Sequence, residues 1–114
     1  MSTPRISNRA AREYVRRRAQ FKASNMFTDE RVLGESVLYI VYSYGEHFPM
    51  FIAETTADNK THWYANQEKW SRSTTRHQSQ AHPPYDIQTV PMNTEQMKLI
   101  ARGGLMELVR RGAA

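Results

Sequence analysis

Cysteine is absent from the 114 residues. That removes disulfides, thiolate nucleophiles and thiolate metal sites together, and it agrees with a reducing compartment. Long hydrophobic runs are absent as well. The longest, Val37 to Tyr42, falls far short of the ~20 residues that cross a bilayer, and the N-terminus has no apolar stretch of the signal-peptide kind. The expected location is therefore the cytoplasm, and no membrane partner is expected. Catalytic patterns are missing too: there is no P-loop, GxGxxG, GxSxG, HExxH or paired-carboxylate arrangement. The four histidines, His47, His62, His77 and His82, are dispersed and have no thiolate partners, so neither a metal nor a cofactor is expected. Repeats and low-complexity tracts are also lacking.

Carboxylates are what the first 25 residues lack. Arg5, Arg9, Arg12, Arg16, Arg17, Arg18 and Lys22 stand there against the single Glu13, whereas the rest of the chain is close to neutral. The net charge of +5 is thus concentrated at one end of the sequence. Such asymmetry attracts polyanions and says nothing about fold. For the fold, the length suits one domain spanning residues 1–114, and 39% apolar with 11% aromatic residues is enough for one core.

The expected class is α+β: an antiparallel sheet of three to four strands, an N-terminal basic helix, a short middle helix and a C-terminal helix packed on the sheet. Thr3 and Pro4 suit a helix start, and residues 8–23 run without glycine or proline, so residues 1–25 read as an arginine-rich helix ended by Ser24 and Asn25. On it Arg9, Arg12 and Arg16 lie within roughly 60° of one another, opposite a sparse line of Ala11, Val15 and Ala19. An apolar face this small predicts a helix at the edge of the domain or projecting from it. Residues 26–35 read as a loop with one helical turn after Thr28.

From residue 36 to 66 the chain reads as a β-meander. Val37 to Tyr44 looks like a central strand buried on both faces, Pro49 to Thr55 a second strand, Asp58 to Lys60 a turn, and His62 to Ala65 a third strand. Ser73, Thr74 and Thr75 suit the caps of a short helix over 73–82 that Pro83 and Pro84 stop. Tyr85 to Val90 reads as the fourth strand of the three to four, broken by Pro91. Asn93 with Gln96 forms a capping-box-like start for a helix over 93–111. Its apolar stripe is Met97, Ile100, Ala101, Gly104, Leu105, Leu108 and Val109. Gly103 and Gly104 invite a kink, and Gly112, after Arg110 and Arg111, is placed to end the helix.

Two segments carry chemistry suited to anions. Arg5, Arg9, Arg12, Arg16 and Arg17 provide a basic helix face able to neutralise phosphates. Arg72, Ser73, Thr74, Thr75, Arg76 and His77 concentrate guanidinium, hydroxyl and imidazole groups without a carboxylate. Most aromatics of the meander (Tyr39, Tyr42, Tyr44, Phe48, Phe51, Trp63, Tyr64 and nearby Trp70) are expected in the core, with Tyr42 and Tyr44 on one face by alternation. An exposed one would stack bases. A small metal-free ribonuclease is the enzymatic alternative, with His77 or His47 beside Arg76, Lys69 and a tyrosine as general acid, base and phosphate clamp.

The runs Tyr39 to Phe51, Trp63 to Asn66 and Lys69 to Gln80 resemble small hypothetical proteins of bacteriophages and mobile elements, over residues 39 to about 83. The resemblance implies a phage-type accessory protein and carries no catalytic residue across. Small accessory proteins of that kind often act on host nucleic-acid machinery, by analogy of class. The expectation for function is therefore a non-catalytic protein that binds nucleic acid or a host nucleoprotein complex. Its counterpart is an inhibitor that meets an acidic host protein through the same arginines.

Overall fold

The β-branched and aromatic run through Tyr42 forms the strand around which the rest is arranged. The computed structural model describes residues 3–45, 48–69, 72–84 and 87–110, the side chains of 104–110 excepted. It holds five strands, β1 (Met26–Leu33), β2 (Ser36–Ser43), β3 (Pro49–Thr55), β4 (Thr61–Asn66) and β5 (Thr89–Met92), in the spatial order β1-β2-β3-β4-β5. Three helices pack on this sheet: α1 (Ala11–Arg16), preceded by a 3-10 turn at Asn8–Ala10, α2 (Arg72–Gln80) and α3 (Thr94–Arg110). The class is α+β as expected, but the sheet is mixed. β1 to β4 are antiparallel, whereas β5 runs parallel to β4 after a crossover through α2.

Side chains alternate between two cores. On one face Tyr39, Val41, Phe51, Ala53 and Trp63 meet Ala11 and Val15 of α1, Phe21, and Ala81 just past α2. On the other, Leu38, Ile40, Tyr42, Ile52 and Tyr64 meet Met97, Ile100 and Ala101 of α3. The middle strands are buried on both sides, which is why they read as near-continuous apolar runs. Helix α3 starts as its sequence dictates. Gln96 donates its backbone N–H to Asn93 Oδ1 at 2.8 Å, and Asn93 donates its own to Gln96 Oε1 at 2.9 Å. It continues past Gly103 and Gly104 to Arg110. Leu105, Leu108 and Val109 of the expected stripe have side chains outside the described set, and Trp70, Tyr85, Arg111, Gly112 and His47 lie outside the described residues.

Five expectations need correction. The first helix ends at Arg16 rather than near residue 23, and Thr3 and Pro4 precede it in extended chain. The stop is a Schellman arrangement. Arg18, at φ 52°, donates to Val15 O at 3.0 Å, and Ala19 donates to Tyr14 O at 2.8 Å. A non-glycine residue fills the left-handed position, so the usual glycine signal is missing. Beyond it residues 19–23 form an extended strap rather than helix. Phe21 donates its N–H to Thr28 Oγ1 at 2.9 Å, Lys22 donates to Pro4 O at 2.9 Å, and Tyr39 donates its hydroxyl hydrogen to Ala19 O at 2.7 Å. Nor does α1 project from the domain, since Ala11 and Val15 are fully buried.

Residues 26–33 form an edge strand instead of a loop. They pair with β2 around the two-residue turn Gly34-Glu35, where Gly34 takes φ 61°. Asp29 and Glu30 disguise the strand because acidic residues are poor strand formers. Here they serve the edge: Asp29 Oδ1 accepts the Glu30 N–H at 2.9 Å, occupying a donor that an open edge would offer to another chain. Arg31 ties the strand to α3 by donating to Ala101 O at 2.9 Å. At the opposite edge, β5 starts at Thr89 and includes Pro91, which was expected to break it. An edge strand tolerates the missing N–H. Tyr42 and Tyr44 do not share a face, because the chain turns between them.

Candidate nucleic-acid interface

The two basic segments, distant in the sequence, lie on the same face of the sheet. The crossover from β4 to β5 sends α2 over the face that α1 covers, and α2 adjoins the 3-10 turn before α1. A direct bond joins them: Arg12 Nη2 donates to Ser79 O at 2.9 Å, giving a cationic donor to a carbonyl at the C-terminal end of α2 that otherwise accepts only the long 3.5 Å bond from the His82 N–H. Arg12 thus has a structural task that its helical spacing did not reveal.

The other arginines keep their heads in solvent. Arg5, Arg9, Arg16, Arg17, Arg72 and Arg76 are all exposed. Arg16 pairs with Glu13 at 2.7 Å and Arg17 at 3.9 Å, the latter with its guanidinium 5.2 Å from the Tyr14 ring centre. Exposed pairs of this sort contribute about 0–1 kcal/mol, so a phosphate can displace Glu13 at little cost. Ser73 and Thr75 are exposed, whereas Thr74 is buried against the sheet. Helix α2 is already under way at Arg72, so these three residues lie in its first turn rather than at its cap.

His77 is 3% exposed, with Nδ1 2.8 Å from Ser43 Oγ and its ring tilted against that of Tyr44 at 5.2 Å. Burial, with the Arg76 charge adding to it, pushes the imidazole below its ordinary pKa. Neutral in the folded chain, His77 locks α2 to the end of β2 and is shielded from the solvent that a substrate would arrive through. The sign of its effect on stability follows. The unfolded chain takes up a proton at this residue near pH 6.5, the folded chain only at lower pH. The contribution is complete above about pH 6.5 and declines as pH falls from there toward the folded-state value. Urea unfolding between pH 5 and 7.5 should show the decline in the natural chain and a smaller one in His77→Gln; parallel profiles would disprove the assignment.

The remaining described histidines stand elsewhere. His62 is exposed on β4, and His82 Nδ1 lies 2.6 Å from Pro83 O with its ring on the edge of Phe51. Among the described residues, no group of three or more His, Asp or Glu gathers to hold a metal. No helix among them is long and apolar enough to cross a membrane.

A feature missed by sequence reasoning lies beside this face. An open cleft of about 450 Å³ runs between the strap and the start of β1, lined in part by Lys22, Ser24, Asn25, Phe27 and Tyr44. Tyr44 is its exposed aromatic, at 52%, while Tyr39, Tyr42, Phe48, Phe51, Trp63 and Tyr64 are each 3% exposed or less. Only its left-handed backbone, which breaks the alternation of β2, could have distinguished it, and that leaves no mark in the sequence. Set against protein families, curated proteins and solved structures, the chain matches none of them.

Proposed function

We propose that the protein is a non-catalytic nucleic-acid-binding module that engages the phosphate backbone through the face covered by α1 and α2. One observation carries the reading. Segments 3–24 and 72–80, which converge on that face, hold nine of the chain's sixteen Lys and Arg residues but only one of its eleven Asp and Glu residues. The rest of the chain is net acidic, with seven Lys and Arg against ten Asp and Glu, so the excess of positive charge belongs to these two segments. A one-sided basic surface with flexible guanidinium groups suits a backbone with closely spaced charges, and its hydroxyl neighbours Ser73 and Thr75 add donors to phosphate oxygens. The seclusion of His77 supports binding over hydrolysis. The resemblance to phage accessory proteins makes a host nucleoprotein complex a natural place to meet such a ligand.

The test is binding of labelled single-stranded and duplex DNA and RNA between 50 and 200 mM salt, with Arg9, Arg16, Arg17, Arg72 and Arg76 replaced together by glutamine in a parallel sample. Arg12 is left in place because of its bond to Ser79. If five phosphates are neutralised, affinity falls by roughly two to three decades across that range, and the variant should lose both the affinity and most of the slope. No binding at 50 mM salt would discard the reading and direct the search to an acidic host protein.

A further inference from the structure

We infer that the cleft beside Tyr44 holds an unstacked base of a single strand, so that the basic face is built for single-stranded rather than duplex nucleic acid. The inference rests on the reading above and extends it from the phosphates to the bases. Its starting point is the backbone. Gly45 donates its N–H to Ser43 O at 2.8 Å, closing a three-residue turn with Tyr44 at its centre at φ 66°. This is the rare, strained form of that turn, and an aromatic residue is a poor occupant of left-handed space. Packing does not require the side chain there, because the ring is half exposed. Strain retained at an exposed position is the pattern found where a side chain serves a ligand.

The surroundings suit a base. The ring is fixed on one side by His77, and Tyr44 donates its own N–H to Asn25 O at 2.8 Å, so the platform is ordered before binding. The cleft is within the volume range of small-ligand sites. Ser24 and Asn25 are exposed on its wall, and their side chains make no hydrogen bond among the described residues. An amide and a hydroxyl offer donors and acceptors to a base edge. Lys22 lines the same cleft and bridges to Arg5 through the backbone, which places two exposed cations beside it. A base on Tyr44 with its phosphates toward Lys22 and Arg5 would continue onto the arginine face. In a duplex the bases are stacked inward and cannot enter.

The experiment compares three ligands of equal phosphate count: an oligothymidylate, an abasic strand of the same length, and a duplex containing that number of phosphates. Each is measured with the full chain, Tyr44→Gly and Tyr44→Phe. Glycine takes the turn without strain, so Tyr44→Gly removes the ring while sparing the fold, and a melting curve checks this. The natural chain should prefer oligothymidylate over the abasic strand by about ten-fold, Tyr44→Phe should retain that preference, and Tyr44→Gly should abolish it. Equal affinity for thymidylate and abasic strands, or a preference that survives in Tyr44→Gly, overturns the inference and leaves the electrostatic reading in place. Failure of all three ligands to bind overturns both.

Discussion

Replacing Phe21 with alanine is expected to cost about 3–5 kcal/mol of folding stability, a large part of the roughly 5–15 kcal/mol that a natural domain commands. Phe21 is fully buried and meets Tyr14 edge-on with ring centres 5.9 Å apart. The size of the effect depends on whether the site can close around the smaller side chain. Here the backbone on either side is held: Phe21 N–H by Thr28 Oγ1, Phe21 O by Thr28 N–H, and Lys22 by its pairing with Pro4 and Ile6. A strap pinned on both edges cannot sink into the void, so the cavity should persist and the cost lie high in the range. Urea titration checks it through a shifted midpoint at unchanged slope. A loss below about 1 kcal/mol would mean that the strap is not packed as described.

Asn66→Ala is the second large effect, about 2–4 kcal/mol, and it arises from polar groups rather than apolar area. Asn66 is 4% exposed at the end of β4, where its Nδ2 donates to Pro49 O at 3.1 Å and to Thr94 Oγ1 at 3.0 Å. Its Oδ1 accepts the Glu68 N–H at 2.9 Å, and its backbone carbonyl accepts Gln78 Nε2 at 2.9 Å. Glu68 in turn accepts the Thr94 N–H at 2.6 Å, a bond that holds its carboxyl below the usual carboxylate range. One residue thus joins the start of β3, the first turn of α3 and the approach to α2. Truncation removes several bonds and strands buried groups that no water readily reaches, and each stranded group costs about 1–3 kcal/mol. The same substitution at Asn93, an exposed cap, should cost only about 1 kcal/mol. Thermal melts of the two variants side by side separate buried network from surface cap; equal shifts would refute the distinction.

What the sequence revealed and what it hid divide along a physical line. Strands β2 to β4 were legible because their own residues demand burial on a pleated surface, and the start of α3 was legible because Asn93 and Gln96 satisfy each other locally. The end of helix α1 is not legible because it depends on an arginine accepting left-handed geometry, offset by the packing of Phe21 beyond it. β1 looks like a loop in sequence because its pairing is imposed by β2 and its acidic residues serve an edge. Among the candidate site residues, the arginines were visible as charge but not as company. That α2 lies beside α1, and that Arg12 is spent on Ser79, follow from a parallel crossover that no local pattern announces.

The mixed sheet has a consequence for the order in which the molecule assembles. β1 to β4 are joined in sequence by short turns, so they can zip together as successive hairpins at low loop-closure cost. β5 must wait until residues 67–88 have looped across the sheet, the slower kind of contact. Helix α2 rides on that crossover. A nascent chain would therefore show its meander first and bring Arg72 and Arg76 alongside the arginines of α1 last, so that the complete basic face is a late product of folding.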